Sequence, residues 1–190
     1  MLLALTRNFV NLKKRMEKIV FAAGCFWCTE AVFQRIKGVE KVVPGFTGGN
    51  IKNPAYREVC QGRTGHAEGV EVTYNPSEIS VEELLEIYFS THDPTTLNQQ
   101  GNDRGTQYRS AIFYTTETQK QAAEKMIHLL DNENVFENDI VTEVTALPIF
   151  YVADVAHHEY YNNNKSQPYC QYIIDPKVRK INKYYSDKLK

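Results

Sequence analysis

Neither sign of charge is in excess: 22 Lys and Arg face 23 Asp and Glu over 190 residues, leaving a formal net charge of −1. With no basic field to steer a phosphate backbone, a general DNA or RNA binder is excluded. Long apolar runs are missing as well. The longest, Ile19 to Cys28, falls far short of the roughly 20 residues that cross a bilayer. Four cysteines, Cys25, Cys28, Cys60 and Cys170, are too few for a disulfide scaffold of this size. No internal repeat and no Rossmann glycine fingerprint is found. What remains is a cytoplasmic protein without membrane contact, whose cysteines are either inert or chemically active.

The composition is that of an ordinary globular chain, 42% hydrophobic and 24% charged. The length suits one domain with a full core. Residues 1–15 read as an N-terminal extension, because their short apolar stretch precedes the basic cluster. A secretory signal has those parts in the reverse order.

Along the chain, Lys18 to Ala23 is a short apolar run ending at Gly24, the pattern of a buried strand. Val32, Phe33 and Ile36 follow at helical spacing. Val39 to Gly49 predicts a second strand and Glu68 to Tyr74, which alternates, a third. Ser80 with Glu83 makes a capping box ahead of Val81, Leu84, Leu85 and Tyr88, and Thr116 with Gln119 opens another helix. Arg109 to Tyr114 and Asp139 to Val144 read as strands, and Asp175-Pro176 starts a last helix. The expected fold class is α+β: a two-layer α/β sandwich, a ferredoxin-like plait, with a mixed sheet and a long C-terminal coil. Two stretches, Thr91 to Gln107 and Leu147 to Asp175, show no regular pattern. Long irregular loops in a compact domain are usually functional.

The chemistry begins at Gly24-Cys25-Phe26-Trp27-Cys28. Cys25 falls where a strand ends and a helix begins, so unpaired N–H groups and the helix dipole favour its thiolate. Gly24 removes a side chain beside it, which lets another loop approach. Cys28 follows one helical turn later. Two small buried hydrophobes remain an alternative reading of the pair. A zinc half-site is another, although no second cysteine pair accompanies it and His157-His158 lacks the finger spacing. Cys60 has no cysteine neighbour and reads as structural, as do His66 and His92.

GCFWC, TGHAEGVEVTYNP and GNDRGTQYRSAIFY occur in that order, and together they resemble the methionine sulfoxide reductase A family. The resemblance runs from about Glu17 to the final helix and implies a single catalytic domain over 16–190. It implies reduction of the S epimer of methionine sulfoxide, free or in proteins, by a monomer that needs no cofactor and no metal. Cys25 would attack the sulfoxide sulfur and become a sulfenic acid. Phe26 and Trp27 would hold the ε-methyl group, and Glu68, its pKa raised among aromatic rings, would protonate the oxygen. Tyr56 and Tyr108 would bond that oxygen, and Asp103 would help to fix the substrate. Cys170 would resolve the sulfenic acid first, with Cys28 as its rival and thioredoxin as the final reductant. The stretch Ala153-Asp154-Val155-Ala156-His157-His158 departs from the family's AEDYHQ form. His157 fits the family histidine there, whereas Asp154 is one methylene shorter than the usual Glu. Two other readings of the motif are a thioredoxin-like disulfide exchanger and a metal-binding or interaction module.

Overall fold

The computed structural model describes residues 15–190, so the extension expected over 1–15 lies, but for Arg15, outside the described residues. The elements run β1 (Glu17–Ala23), α1 (Phe26–Phe33), β2 (Val39–Thr47), α2 (Tyr56–Cys60), β3 (Ala67–Tyr74) and α3 (Val81–Ser90). There follow β4 (Gln99–Gln100), β5 (Asp103–Arg104), β6 (Ser110–Tyr114), α4 (Glu117–Asn132), β7 (Glu143–Ala146) and β8 (Tyr151–Val152). The chain ends with α5 (Tyr160–Asn163) and α6 (Asp175–Tyr184).

Six strands form one sheet in the order β7-β6-β1-β3-β2-β8. All neighbours are antiparallel except β6 and β7. β1 is central, and its residues from Ile19 onward are buried on both faces, as the continuous apolar run predicts. Ile19, Phe21 and Ala23 pack into the main core under the helices. Val20 and Ala22 point to the other face, against Ala67, Ala111 and Phe113. The α+β class and the mixed sheet are thus observed. α3 opens with the reciprocal Ser80–Glu83 box, and α4 with Thr116 accepting from the Gln119 N–H.

Three expectations change. The strand foreseen over Asp139 to Val144 forms at Glu143–Ala146 instead. The earlier residues spend their N–H groups elsewhere: Ile140 donates to Asp131 Oδ1 and Val141 to the Pro94 carbonyl. The stretch Thr91 to Gln107 contains the β4–β5 hairpin. Gln100 ties that hairpin back to Asp93, donating from Nε2 to its carbonyl at 3.0 Å and accepting its N–H at 3.2 Å. The C-terminal coil is not one. Leu147 to Asp175 is held by β8 pairing with β2, by α5, and by a π-helical segment Cys170–Ile174 that runs into α6.

Candidate active site

Cys25 caps α1 with φ −57° and ψ 124°, so it stands just outside the helix. Gly24 before it has φ +86°, and a Cβ there would lie 2.6 Å from the Gln100 side chain. Only glycine lets the 91–107 loop close over the nucleophile position. The Phe26 N–H, one of the free donors of the helix start, donates to Glu68 Oε2 at 3.2 Å. Register explains the meeting: Glu68 lies opposite Phe46 where β3 begins, close to the end of the central strand.

Glu68 is 1% exposed. Burial pushes its carboxyl up to about 8, and the charges of Asp103 and Cys28 push the same way against the Phe26 N–H. It therefore carries a proton at neutral pH. Tyr56, first residue of α2, and Tyr108, on the 3-10 turn Thr106–Tyr108, both keep their hydroxyl protons well above the usual range. Burial is the main cause, and the charges of Glu68 and Cys25 add to it for each ring. Two hydroxyl donors and one protonated carboxyl thus lie within electrostatic reach of the Cys25 sulfur.

An aromatic wall completes this side. The Phe26 ring lies 6.3 Å from Tyr56, 6.2 Å from Trp27 and 5.5 Å from His157. His157 sits 4.2 Å from Tyr56, and burial lowers its pKa, keeping the imidazole neutral. Trp27 stacks flat on Tyr160, centroid to centroid 3.7 Å. Its Nε1 is buried without a hydrogen-bond partner.

On the other side of Cys25 a pocket of about 360 Å³ is lined by Cys25, Cys28, Gln100, Asp103, Tyr169 and Lys177, among others. Tyr169 Oη donates to Asp103 Oδ2 at 3.1 Å and lies 3.9 Å from Cys28 Sγ. The thiols of Cys25 and Cys28 are close enough to polarise each other. Burial, reinforced by Cys28 and Glu68, holds the Cys25 thiol well above its ordinary value. That reverses the expectation of an easily ionised thiol, because desolvation outweighs the helix start. Cys28 goes the other way, lowered first by its contact with Cys25.

The structure therefore gathers Cys25, Cys28, Phe26, Trp27, Tyr56, Glu68, Asp103, Tyr108 and His157. It does not gather all the expected residues. Cys170 is fully buried in the main core, and the nearest thiol charge it senses is that of Cys28. Asp154 is exposed: its carbonyl accepts the His157 N–H at 2.9 Å, and its side chain reaches His157 only through its charge. Cys60, read as structural, lies beside the Tyr56 hydroxyl. Residues missed in the sequence include Phe46, Tyr160, Tyr169, Lys177 and Glu30. The Glu30 carboxylate accepts from the N–H groups of Glu159 (2.8 Å) and Tyr160 (3.3 Å) and so pins the aromatic wall. The crowding of Tyr and His around Cys170 was the available signal for the two tyrosines. His66 and His92 are both hydrogen-bonded structural residues. No group of three or more metal-ligating side chains is found among the described residues.

A buried thiol at a helix start, a second thiol against it and a protonated carboxyl beside it define a cysteine-based redox enzyme. Residues 17–189 match the family described as Peptide methionine sulfoxide reductase, and the chain belongs to that family. The "Peptide methionine sulfoxide reductase MsrA" of Deinococcus radiodurans is 54% identical over 174 residues, 92% of this chain and 84% of that one. The reduced form of Mxr1 from Saccharomyces cerevisiae superposes with a TM-score of 0.75 at 32% identity, covering 82% of this chain and 90% of the other. Mxr1 in complex with Trx2 matches with a TM-score of 0.53 at 25% identity, over 78% and 86% of the two chains.

Proposed function

We propose that this enzyme reduces methionine S-sulfoxide, free and in proteins, with Cys25 as the nucleophile. The observation that carries the reading is the protonated Glu68 carboxyl held against the first turn that Cys25 caps. A sulfoxide presents a positive sulfur and a negative oxygen. The sulfur supplies the charge that Cys25 needs to ionise, and the oxygen takes its proton from Glu68 with Tyr56 and Tyr108 as donors. Cys25 gains the oxygen as a sulfenic acid and methionine leaves, a two-electron reduction of the substrate. Phe26, Trp27 and His157 line the ε-methyl side, and Asp103 anchors the rim through Tyr169.

The sulfenic acid then meets a thiol. Cys28 is against Cys25, so it closes the first disulfide and water leaves. Cys170 next attacks the Cys28 sulfur, frees Cys25 and forms a Cys28–Cys170 bond that a dithiol reductant opens. Thioredoxin fits that part, and the yeast relative's complex with Trx2 supports it. We read the enzyme as a cytoplasmic monomer whose single catalytic domain covers 16–190. The order β6-β1-β3-β2 with α1 and α3 as crossovers supports reading its central layer as a ferredoxin-like plait.

The test couples thioredoxin, thioredoxin reductase and NADPH to a peptide carrying methionine S-sulfoxide. One NADPH should be consumed per methionine formed. With one equivalent of sulfoxide and no reductant, mass mapping should find Cys25–Cys28 before Cys28–Cys170. A Cys28→Ser protein that closes Cys25 to Cys170 at the wild-type rate would overturn that order.

A further inference from the structure

Lys177, on α6, reaches the wall of the pocket that holds Cys25, Cys28, Asp103 and Tyr169. Its ammonium donates to the Thr91 carbonyl at the end of α3. It makes no ion pair with a carboxylate among the described residues. A half-buried ammonium without a counter-ion is unfavourable unless an anion forms beside it. Its one carboxyl, Asp103, accepts from Tyr169 and makes no ion pair with Lys177, so the two thiols are the groups left to form an anion beside the ammonium. Lys180, one turn further along α6, also donates to a carbonyl at the end of α3, that of Ser90. Lys180 is exposed and does not line the pocket. Closing the end of α3 thus does not explain why one of the two lysines is turned into the thiol pocket.

We propose that Lys177 is a positioning residue of the resolving step: from the pocket wall it stabilises the Cys28 thiolate and so selects that sulfur to attack the sulfenic acid on Cys25. The inference rests on the thiol order given above and adds the group that enforces it. In the step, the Cys28 sulfur bonds to the Cys25 sulfur and the Cys25 S–O bond breaks. The oxygen leaves as water with the proton released by Cys28, and no outside oxidant or reductant takes part. Lys177 keeps its proton throughout.

The charges around the pair agree. Ionisation of Cys28 is favoured first by the Cys25 thiol, then by Lys177 and Tyr169, and opposed by burial and Asp103. Lys177 is itself lowered by burial, while Cys28 and Cys25 are the strongest groups that hold its charge and Asp103 adds to them. Lys180 opposes that charge, and His92 senses Lys177 from α3's end. Cys170 and Glu68 both feel Cys28.

Single-turnover kinetics separate the steps: methionine release reports sulfenic acid formation, and loss of dimedone-reactive sulfur reports disulfide closure. Lys177→Met should slow closure about tenfold relative to methionine release at neutral pH, because less of Cys28 is then thiolate. The gap should narrow as pH rises, and Lys177→Arg should restore much of the ratio. Lys180→Met, which removes the neighbouring bond to α3, should leave the ratio where it is. Equal slowing of both steps by Lys177→Met, or a matching shift in Lys180→Met, would overturn the proposal. Failure of the thiol order is seen separately, as wild-type closure in Cys28→Ser.

Discussion

Glu68 Oε2 and the Phe26 backbone N–H lie 3.2 Å apart, which ties a buried carboxyl to the helix start that Cys25 caps. This one bond joins the acid and the nucleophile although 42 residues separate its two ends.

Glu68→Gln keeps the size of the side chain and removes the acid, so kcat should fall by roughly 10²- to 10⁴-fold. Wild-type activity should decline as pH rises through about 8, where Glu68 gives up its proton. The same substitution should lose that limb and, at pH 9, raise Tm by sparing the fold a buried charge.

Stability should be greatest between about pH 4.5 and 6.5, where two buried groups offset each other, and fall away above and below that range for two different reasons. Glu68 is raised from 4.5 to about 8, so the folded state holds a proton that the unfolded chain releases. Its contribution is lost as pH rises through that window. His92, bonded to the Tyr88 carbonyl and Ser110 Oγ, is lowered from 6.5 to about 3 because burial disfavours its charge. Its contribution is present above 6.5 and is lost as pH falls towards 3, on the order of a few kcal/mol in full. Urea titrations across pH on wild type and His92→Gln check this, the variant showing a flatter acid side.

Glu30→Ala leaves the N–H groups of Glu159 and Tyr160 without their buried acceptor. The expected loss of stability is about 1–3 kcal/mol. Tyr160 should also leave the face of Trp27, the chain's single tryptophan. A changed fluorescence spectrum together with a raised KM reports both effects.

Asp154→Ala should change kcat/KM by less than about twofold, since the side chain is exposed and touches no substrate wall. His157→Ala removes a ring packed on Phe26, Trp27 and Tyr56 and should lower kcat/KM by about tenfold or more. Steady-state assays of the two variants side by side decide it.

Much of this arrangement was legible in the sequence because it is local. The strand-to-helix junction at Cys25, the alternating strand from Glu68 and the two capped helices each leave a short pattern. The contact of Cys28 with Cys25 was not legible. Spacing within a helix argues against a disulfide, but the extended ψ of 124° places Cys25 outside that helix. Its ionisation was misread for a related reason: the helix start was visible, whereas the burial that outweighs it comes from distant segments. Glu30 and Lys177 carry no local mark at all. Their partners lie 129 and 86 residues away, and only the closed tertiary structure brings them to the site.

Reduction of the separated S and R epimers of methionine sulfoxide, with dithiothreitol as reductant and Cys25→Ser alongside, tests the central claim most directly. The S epimer alone should be turned over, and the variant should abolish that turnover. Turnover of neither epimer by the folded wild-type protein, or unchanged turnover in Cys25→Ser, would contradict it.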